Sequence, residues 1–463
     1  MKKALYWFTN DLRLQDNMSL SSLLMQSDSI AFVYVLDPRW FKQNNYQHKR
    51  VGEHRFRFIV ESLRDLDAQL RSFGHHLTVL HGEPVAELLH FVSHQGINLL
   101  GCASQVGWNE RRVWQYLVQQ LPQVDCISRW NSTLFEPEQL ERGEDALASF
   151  SRFRKQVEQQ PITPVSPCKI WLDTLPPPLA AEETSQQLDT VLHEYRGSMA
   201  ASCQRYADTR LTHEDEHFIG GERAALLHLE RYFTSQAPES YKQTRNDLDG
   251  WSTSTKFSPY LAVGNVSPRQ IWQRLDRYQK ECLKNESTYW IGFELLWREY
   301  FQWWALAQKS RLFALQGSAA TRPLTSYYGE RFIKWCQGCT PYPLVNACMH
   351  QLNATGFMSN RGRQIVASCL VNELSIDWRY GAAYFQQQLI DYDVASNWGN
   401  WQYIAGVGAD PRGGRHFNLA KQTQLYDANE AFINKWHGKH QAEPLDSVDA
   451  ADWPIPADGS HHD

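Results

Sequence analysis

Asp391 and Asp393 stand two residues apart in the stretch DYDVASNWGNWQY, and Asn397 follows four further on among Trp398, Trp401 and Tyr403. Carboxylates at this spacing accept N–H donors or balance cations, an amide does both, and rings around them stack on a flat partner. Such a stretch is poor core material and too apolar for an idle surface loop. A second constellation lies in FELLWREYF, where Glu294 and Arg298 share one helical face and Trp297 stands between them. In isolation this is a surface ion pair. In a helix apolar on nearly all sides (YWIGF, LLW, YFQWWAL) it is expected to face something polar. In NATGFMSNRGRQIV, Asn360, Arg361 and Arg363 enter another helix. Cations at a helix start oppose the macrodipole, so an anion or acid should compensate, with Asp391 and Asp393 as candidates. Finally, STSTKFSPYLAVGNVSPRQ crowds hydroxyls around Lys256 just ahead of helix starts. It reads equally as an anion cradle or as stacked N-caps and turns.

Other chemistries fit less well. There is no HExxH or His cluster, and Cys336 and Cys339 form a single CxxC with Cys348 further on, so no metal site is expected. No GxSxG or Cys–His pair announces a nucleophile, and no GxGxxG follows the first strand. A large cofactor with a phosphate end and a flat ring end would use all four constellations.

The elements that must position them fall into two patterns. Over residues 1–131, apolar runs (ALYWF, SIAFVYVLDP, HLTVLHG, INLLGCAS, VDCISRW) alternate with helical periodicities, as in VGEHRFRFIVESLRDLDAQLRSFG. This predicts a doubly wound parallel α/β sheet. Residues 132–210, rich in Pro and polar residues, read as a long connection over the surface. Residues 211–440 carry apolar stripes at helical spacing and predict a large all-helical domain, with an irregular tail over 441–463. The chain has 463 residues, 42% of them hydrophobic, with nine cysteines, 18 tryptophans and net charge -5. It is therefore globular, and a nucleic-acid partner would need a local basic face. With no apolar run of membrane-spanning length and no signal-peptide pattern, a cytoplasmic location is expected and no membrane partner.

In this order the motifs resemble the photolyase/cryptochrome flavoproteins, and most closely the DASH-type cryptochromes. The resemblance rests on YWFTNDLRLQDN, STKFSPYLAVGNVSPR, FELLWREYF, TGFMSNRGRQIVAS, IDWRYG, DYDVASNWGNWQYIAGVG and DPRGGRHFN. It implies an α/β antenna domain and a helical domain holding FAD. Tyr241, Ser254, Thr255, Lys256, Phe257 and Ser258 would then contact the phosphate end. Arg363 would pair with Asp391 near the ring, Asp393 would accept from the isoalloxazine imide, Asn397 would sit beside N5, and Arg298 joins the cofactor set. Glu294, Asn360 and Trp297 would meet a cyclobutane pyrimidine dimer, while Arg245, Arg361 and Tyr403 would contact DNA. Asn109 and Glu110, in GWNERR, would hold a 5,10-methenyltetrahydrofolate antenna; read without the resemblance, they are a helix start with an acid in its first turn.

Two departures from the family matter. Tyr403 and Ile291 stand where duplex-repairing relatives carry larger aromatic walls. Extruding a base from duplex costs a few kcal/mol and weaker stacking returns less of it, which favours single-stranded DNA, with RNA and looped duplex as further candidates. Trp401 and Trp378 match two members of an electron-transfer chain, but the outer Trp is missing near LTSYYGERF. Tyr327 or Tyr328 is expected to replace it, with Trp335 or another surface Trp as an alternative exit. The resulting expectation is a light-driven, carbon–carbon bond-cleaving DNA-repair enzyme. The competing readings are a blue-light receptor that signals through a partner, and a flavoprotein that binds nucleic acid without chemistry.

Overall fold

The computed structural model describes residues 1–140, 146–160, 162–179, 218–408, 413–440, 442 and 444–445. Five strands, β1 (Lys3–Phe8), β2 (Ser29–Leu36), β3 (Leu77–His81), β4 (Leu99–Ala103) and β5 (Asp125–Arg129), form one sheet in the order β3-β2-β1-β4-β5. Every pairing is parallel, with Tyr6 opposite Phe32 on one side and Gly101 on the other. A parallel sheet is covered on both faces, and the two-residue period of a strand sorts its side chains between them. Leu5, Trp7, Val33, Val35 and Leu100 pack with Val85, Leu88 and Val92 of the helix Pro84–Gln95 and with Leu117 of the helix Trp108–Gln120. Ala4, Tyr6, Phe8, Phe32 and Tyr34 face the other way. They share a core with the helix Glu53–Ser72 that runs without a break into the helical half.

The loop after β1 locks the two halves together. Arg13, fully buried, donates to Gly264 O (2.9 Å) and Asn131 O (2.7 Å), and the buried pair Arg269–Asp16 closes at 3.0 Å. Glu222, at the start of the helix Glu222–Thr234, accepts from the backbone N–H of Leu14 (2.8 Å) and Gln15 (3.0 Å). Glu299 accepts in the same way from Leu134 (2.8 Å) and Phe135 (3.2 Å), and also from Trp303 Nε1 (2.8 Å). Burial pushes both carboxyls up to about 7, against these hydrogen bonds, which favour the charged form.

The expectation of a surface connection after residue 131 is corrected for its first part, up to Val157, while residues 162–179 are exposed or half-buried except for Ile170. Leu134, Phe135, Leu147, Phe150 and Phe153 are buried, and residues Phe150–Gln159 form a helix. Phe150, Phe153 and Val157 fall at helical spacing, so this segment buries an apolar stripe instead of crossing solvent. Residues 180–210 of that connection, and most of the tail over 441–463, lie outside the described residues.

The helical half is built around Glu286–Gln308, capped by Asn285 and packed against the helices Ala237–Thr244 and Val394–Ala405. Two glycines allow close approach. A Cβ on Gly399 would lie 2.4 Å from Phe301, and one on Gly381 would lie 2.2 Å from the Trp401 ring. The Trp401 ring can therefore approach the backbone of the helix Trp378–Gln388 closely at Gly381. No helix of the described residues is long and apolar enough to cross a membrane.

Candidate functional site

A cavity of about 600 Å³ opens between the helices of this half. It collects residues from segments far apart in sequence, each held by its own local rule. The hydroxyl-rich segment contributes Ser254, Thr255, Lys256, Phe257 and Ser258. Its turn is tied down by His228 on Thr255 O (2.8 Å) and by Thr244 Oγ1 on Thr253 O (2.9 Å). Lys256 is buried at φ 53° with its ammonium 5.0 Å from the Phe357 ring. The two helix starts here behave differently. Ser258–Val263 is only six residues long, a small dipole, while Ser267 is an ordinary capping box that accepts from Gln270 N.

The helix Asn360–Ser368 enters the cavity at its N-terminus, where Ser359 accepts from Gly362 N and Asn360 is exposed on the cavity wall. Arg363 donates to Asp391 Oδ2 at 2.7 Å, so the cation at this helix start meets a buried acid. Asp391 Oδ1 is also buried and has no hydrogen-bond partner within the described residues. That orphaned acceptor fits a ligand with an N–H or O–H to offer. Asp393 does not compensate the arginines. It caps its own helix through Ser396 N (2.7 Å) and takes a second donor from Gln302 Nε2 (2.9 Å) on the same oxygen. Asn397, one turn on, gives its Nδ2 to Ala382 O (3.0 Å), and its amide lines the cavity.

The expected Glu294–Arg298 pairing is corrected. Arg298 donates to Ser132 O at 2.7 Å, and Glu294 pairs with Arg245 at 2.5 Å. Desolvation raises the Glu294 carboxyl and Arg245 opposes the rise. The neighbouring Tyr241 phenol is pushed up by burial and then by the Glu294 charge. Arg245 also lies over Trp290 at 4.7 Å, with its side chain 17% exposed. Arg361 does not line the cavity. It donates to Asn246 and lies over the Tyr426 ring at 4.8 Å. One face of Trp297 is already covered, because Phe150 stacks on it at 3.8 Å and 12°. Tyr403 stands edge-on to Trp297 at 6.0 Å and accepts a 2.6 Å hydrogen bond from Arg415.

Trp401 lines the cavity and packs against Phe385 (5.1 Å) and Trp335 (6.2 Å). Trp378 packs against Trp398 at 5.8 Å. Trp335 is fully buried, which corrects its reading as a surface tryptophan, and it stacks on Phe332 at 6.1 Å. Tyr327, 47% exposed, stacks on Tyr380 at 4.4 Å, and Tyr380 touches Phe332 at 5.5 Å. Tyr328 is exposed under Arg331. Asn109 and Glu110 lie outside the cavity, in the first turn of Trp108–Gln120. Glu110 is exposed as a residue, while desolvation raises its carboxyl against a hydrogen bond from its own backbone and the charges of Arg50 and Arg55.

Sequence reasoning missed Gln302, Phe150 and Arg415. Gln302 was readable, since it continues the four-residue steps of Glu294 and Arg298 along one helix face. Phe150 carries no local signal, because its partner lies on another helix. Among the described residues no cluster of His, Cys, Asp or Glu could hold a metal ion.

Residues 4–169 match the family described as DNA photolyase, and residues 290–458 match the FAD binding domain of DNA photolyase. The chain is 48% identical to a cryptochrome DASH of Idiomarina loihiensis, over 98% of this chain and 96% of that one. It is 44% identical to a cryptochrome DASH of Vibrio parahaemolyticus, over 98% of both. The crystal structure of a Synechocystis cryptochrome aligns over 98% of this chain and 93% of its own, with 36% identity and a TM-score of 0.85. The chain belongs to the photolyase/cryptochrome family, and within it to the DASH-type cryptochromes.

Proposed function

We propose that this protein reverses cyclobutane pyrimidine dimers in single-stranded DNA, driven by blue light through reduced FAD. The observation that supports this best is the cavity wall that joins Glu294, Trp297, Asn360 and Tyr403 to the pair Arg363–Asp391. It combines contacts for a flat polar cofactor with a carboxyl and aromatic rings for a second ligand, and it holds no nucleophile–base dyad. FAD, when bound and reduced, supplies on excitation the electron that opens the cyclobutane ring and takes it back.

The chain's own residues bind, orient and exclude water. Asp391 Oδ1 is an unused acceptor for the cofactor, and the second oxygen of Asp393 and the Asn397 carbonyl are further acceptors on the same wall. Tyr241, Ser254, Thr255, Lys256, Phe257, Ser258 and Arg298 complete the cofactor set along the remaining wall. Glu294 offers its carboxyl to a dimer carbonyl as charge develops there. Trp297, backed by Phe150, lines the cavity beside Glu294 and would stack on the dimer. Tyr403 and the aliphatic Ile291 return little stacking energy, which favours a strand that needs no extrusion. At the start of the helix Trp108–Gln120, Glu110 and Asn109 would hold a folate antenna, because a raised carboxyl gains from the N–H donors of a pterin edge.

The test is light-dependent repair of matched single-stranded and duplex dimer substrates, with looped duplex and RNA alongside. Faster repair of the single strand is expected. Equal or greater repair of duplex overturns the strand preference, and no repair of either by fully reduced protein favours a receptor.

A further inference from the structure

We infer that Arg245 and Glu294 form a latch that the substrate opens: the Arg245 guanidinium moves from the Glu294 carboxylate to a phosphate beside the dimer, and Glu294 takes a proton from solvent. The inference deepens the proposed function and rests on DNA being the substrate.

The geometry contains a conflict that this exchange resolves. Glu294 Oε1 is buried and lies 2.5 Å from Arg245 in an ion-pair contact that leaves this oxygen without an aligned hydrogen bond. In that pair the carboxylate is an acceptor and nothing more. A pyrimidine carbonyl is an acceptor too, so an ionised Glu294 has nothing to give it. A hydrogen bond between them requires a proton on Glu294, and a proton there removes the reason for Arg245 to stay.

Arg245 is placed to leave. It caps the C-terminal end of the helix Ala237–Thr244, on the cavity wall, and the Trp290 ring supports its guanidinium from one side. Arg361, from the helix Asn360–Ser368, is close enough to repel it. Of the two guanidiniums, Arg245 is the one on the cavity wall, and a guanidinium there suits one phosphate.

The other groups facing Glu294 do not replace Arg245. Tyr241 offers a phenol whose ionisation is pushed further out of reach. Arg298, one turn along the same helix, is held on Ser132 O. Asp247 lines the same cavity and its carboxyl is also raised by desolvation. With Arg245 gone and solvent displaced by the dimer, desolvation dominates and the neutral acid is favoured.

The test is calorimetric titration of FAD-loaded protein, in the dark, with a dimer-bearing single strand, in buffers of differing ionisation enthalpy near about pH 8. The expected result is uptake of about one proton per strand bound, with affinity falling as pH rises by up to about tenfold per unit. Glu294→Gln should bind without uptake. Arg245→Ala should bind more weakly and take up less, since its Glu294 is already driven toward the acid. Should the Gln variant fail to hold FAD, the parent and Arg245→Ala decide between them. Tight binding by the parent with no proton uptake overturns the latch, as does uptake that persists in Glu294→Gln. A dimer-bearing strand that does not bind at all removes the DNA reading itself.

Discussion

The helical cavity and the helix start at Glu110 each carry a carboxyl, but they hold it in opposite ways. Asp391 is buried and already bonded through one oxygen to Arg363, with only the other left over. Glu110 stands in the first turn of a helix, exposed, and desolvation raises its carboxyl despite Arg50 and Arg55. The cavity is assembled from several segments whose charges are largely satisfied before any ligand arrives. The Glu110 position depends on one helix start. A site satisfied from within is pre-organised and fails as a unit. A site that rests on one exposed acid changes alone when that acid is replaced.

The sharpest way to break this comparison is Asp391→Ala. It strands a partly buried guanidinium, at a cost of about 3–5 kcal/mol for a broken buried pair. Flavin released from the folded variant should fall about tenfold or more relative to the parent. Parental flavin content would mean that the cavity does not act as a unit.

Trp401→Phe should abolish most photoreduction by an external thiol and leave repair by pre-reduced protein nearly intact, since it alters the cavity's outlet and not its charges. Beyond it, Trp335→Phe should slow photoreduction more than Trp378→Phe, because Trp335 is the tryptophan in ring contact with Trp401 and leads through Phe332 to the exposed Tyr327–Tyr380 stack. Transient absorption should show a tyrosyl signal that disappears when Tyr327 and Tyr328 are both Phe. A signal that survives would end the chain elsewhere.

Glu294→Gln should lower repair several-fold with FAD retained, and an unchanged quantum yield at saturating substrate would remove Glu294 from the reacting centre. Glu110→Gln should reduce bound folate, read as near-ultraviolet absorbance, with FAD content unchanged. A loss of both would show that the two sites are not independent.

The smallest effect belongs to the seam between the halves. Glu222 and Glu299 rise from 4.5 to about 7 on folding, so the native state holds extra protons between those values. Their contribution to stability is fully present below about 4.5 and declines as pH rises through about 7. Glu299→Gln should flatten this part of the profile of Tm against pH. A slope identical to the parent's would assign it to other groups.

Much of this was legible along the chain. The unbroken apolar runs ALYWF and SIAFVYVL, alternating with helical segments, announced a sheet covered on both faces, because a strand's side chains sort by a period of two and here both sets are apolar. Helix starts were readable from capping residues that act within three positions, as at Ser267 and Asp393. Partner choice was not. Glu294 had an arginine one turn away in Arg298 and took Arg245 from another helix, because helix packing set which guanidinium reached it. Phe150 on Trp297, Trp335 beside Trp401, and the burial of the segment after residue 131 are the same kind of fact. Local rules act over a turn or a pleat and are carried in the sequence. Burial and pairing depend on which distant surfaces meet, and only the tertiary structure decides that.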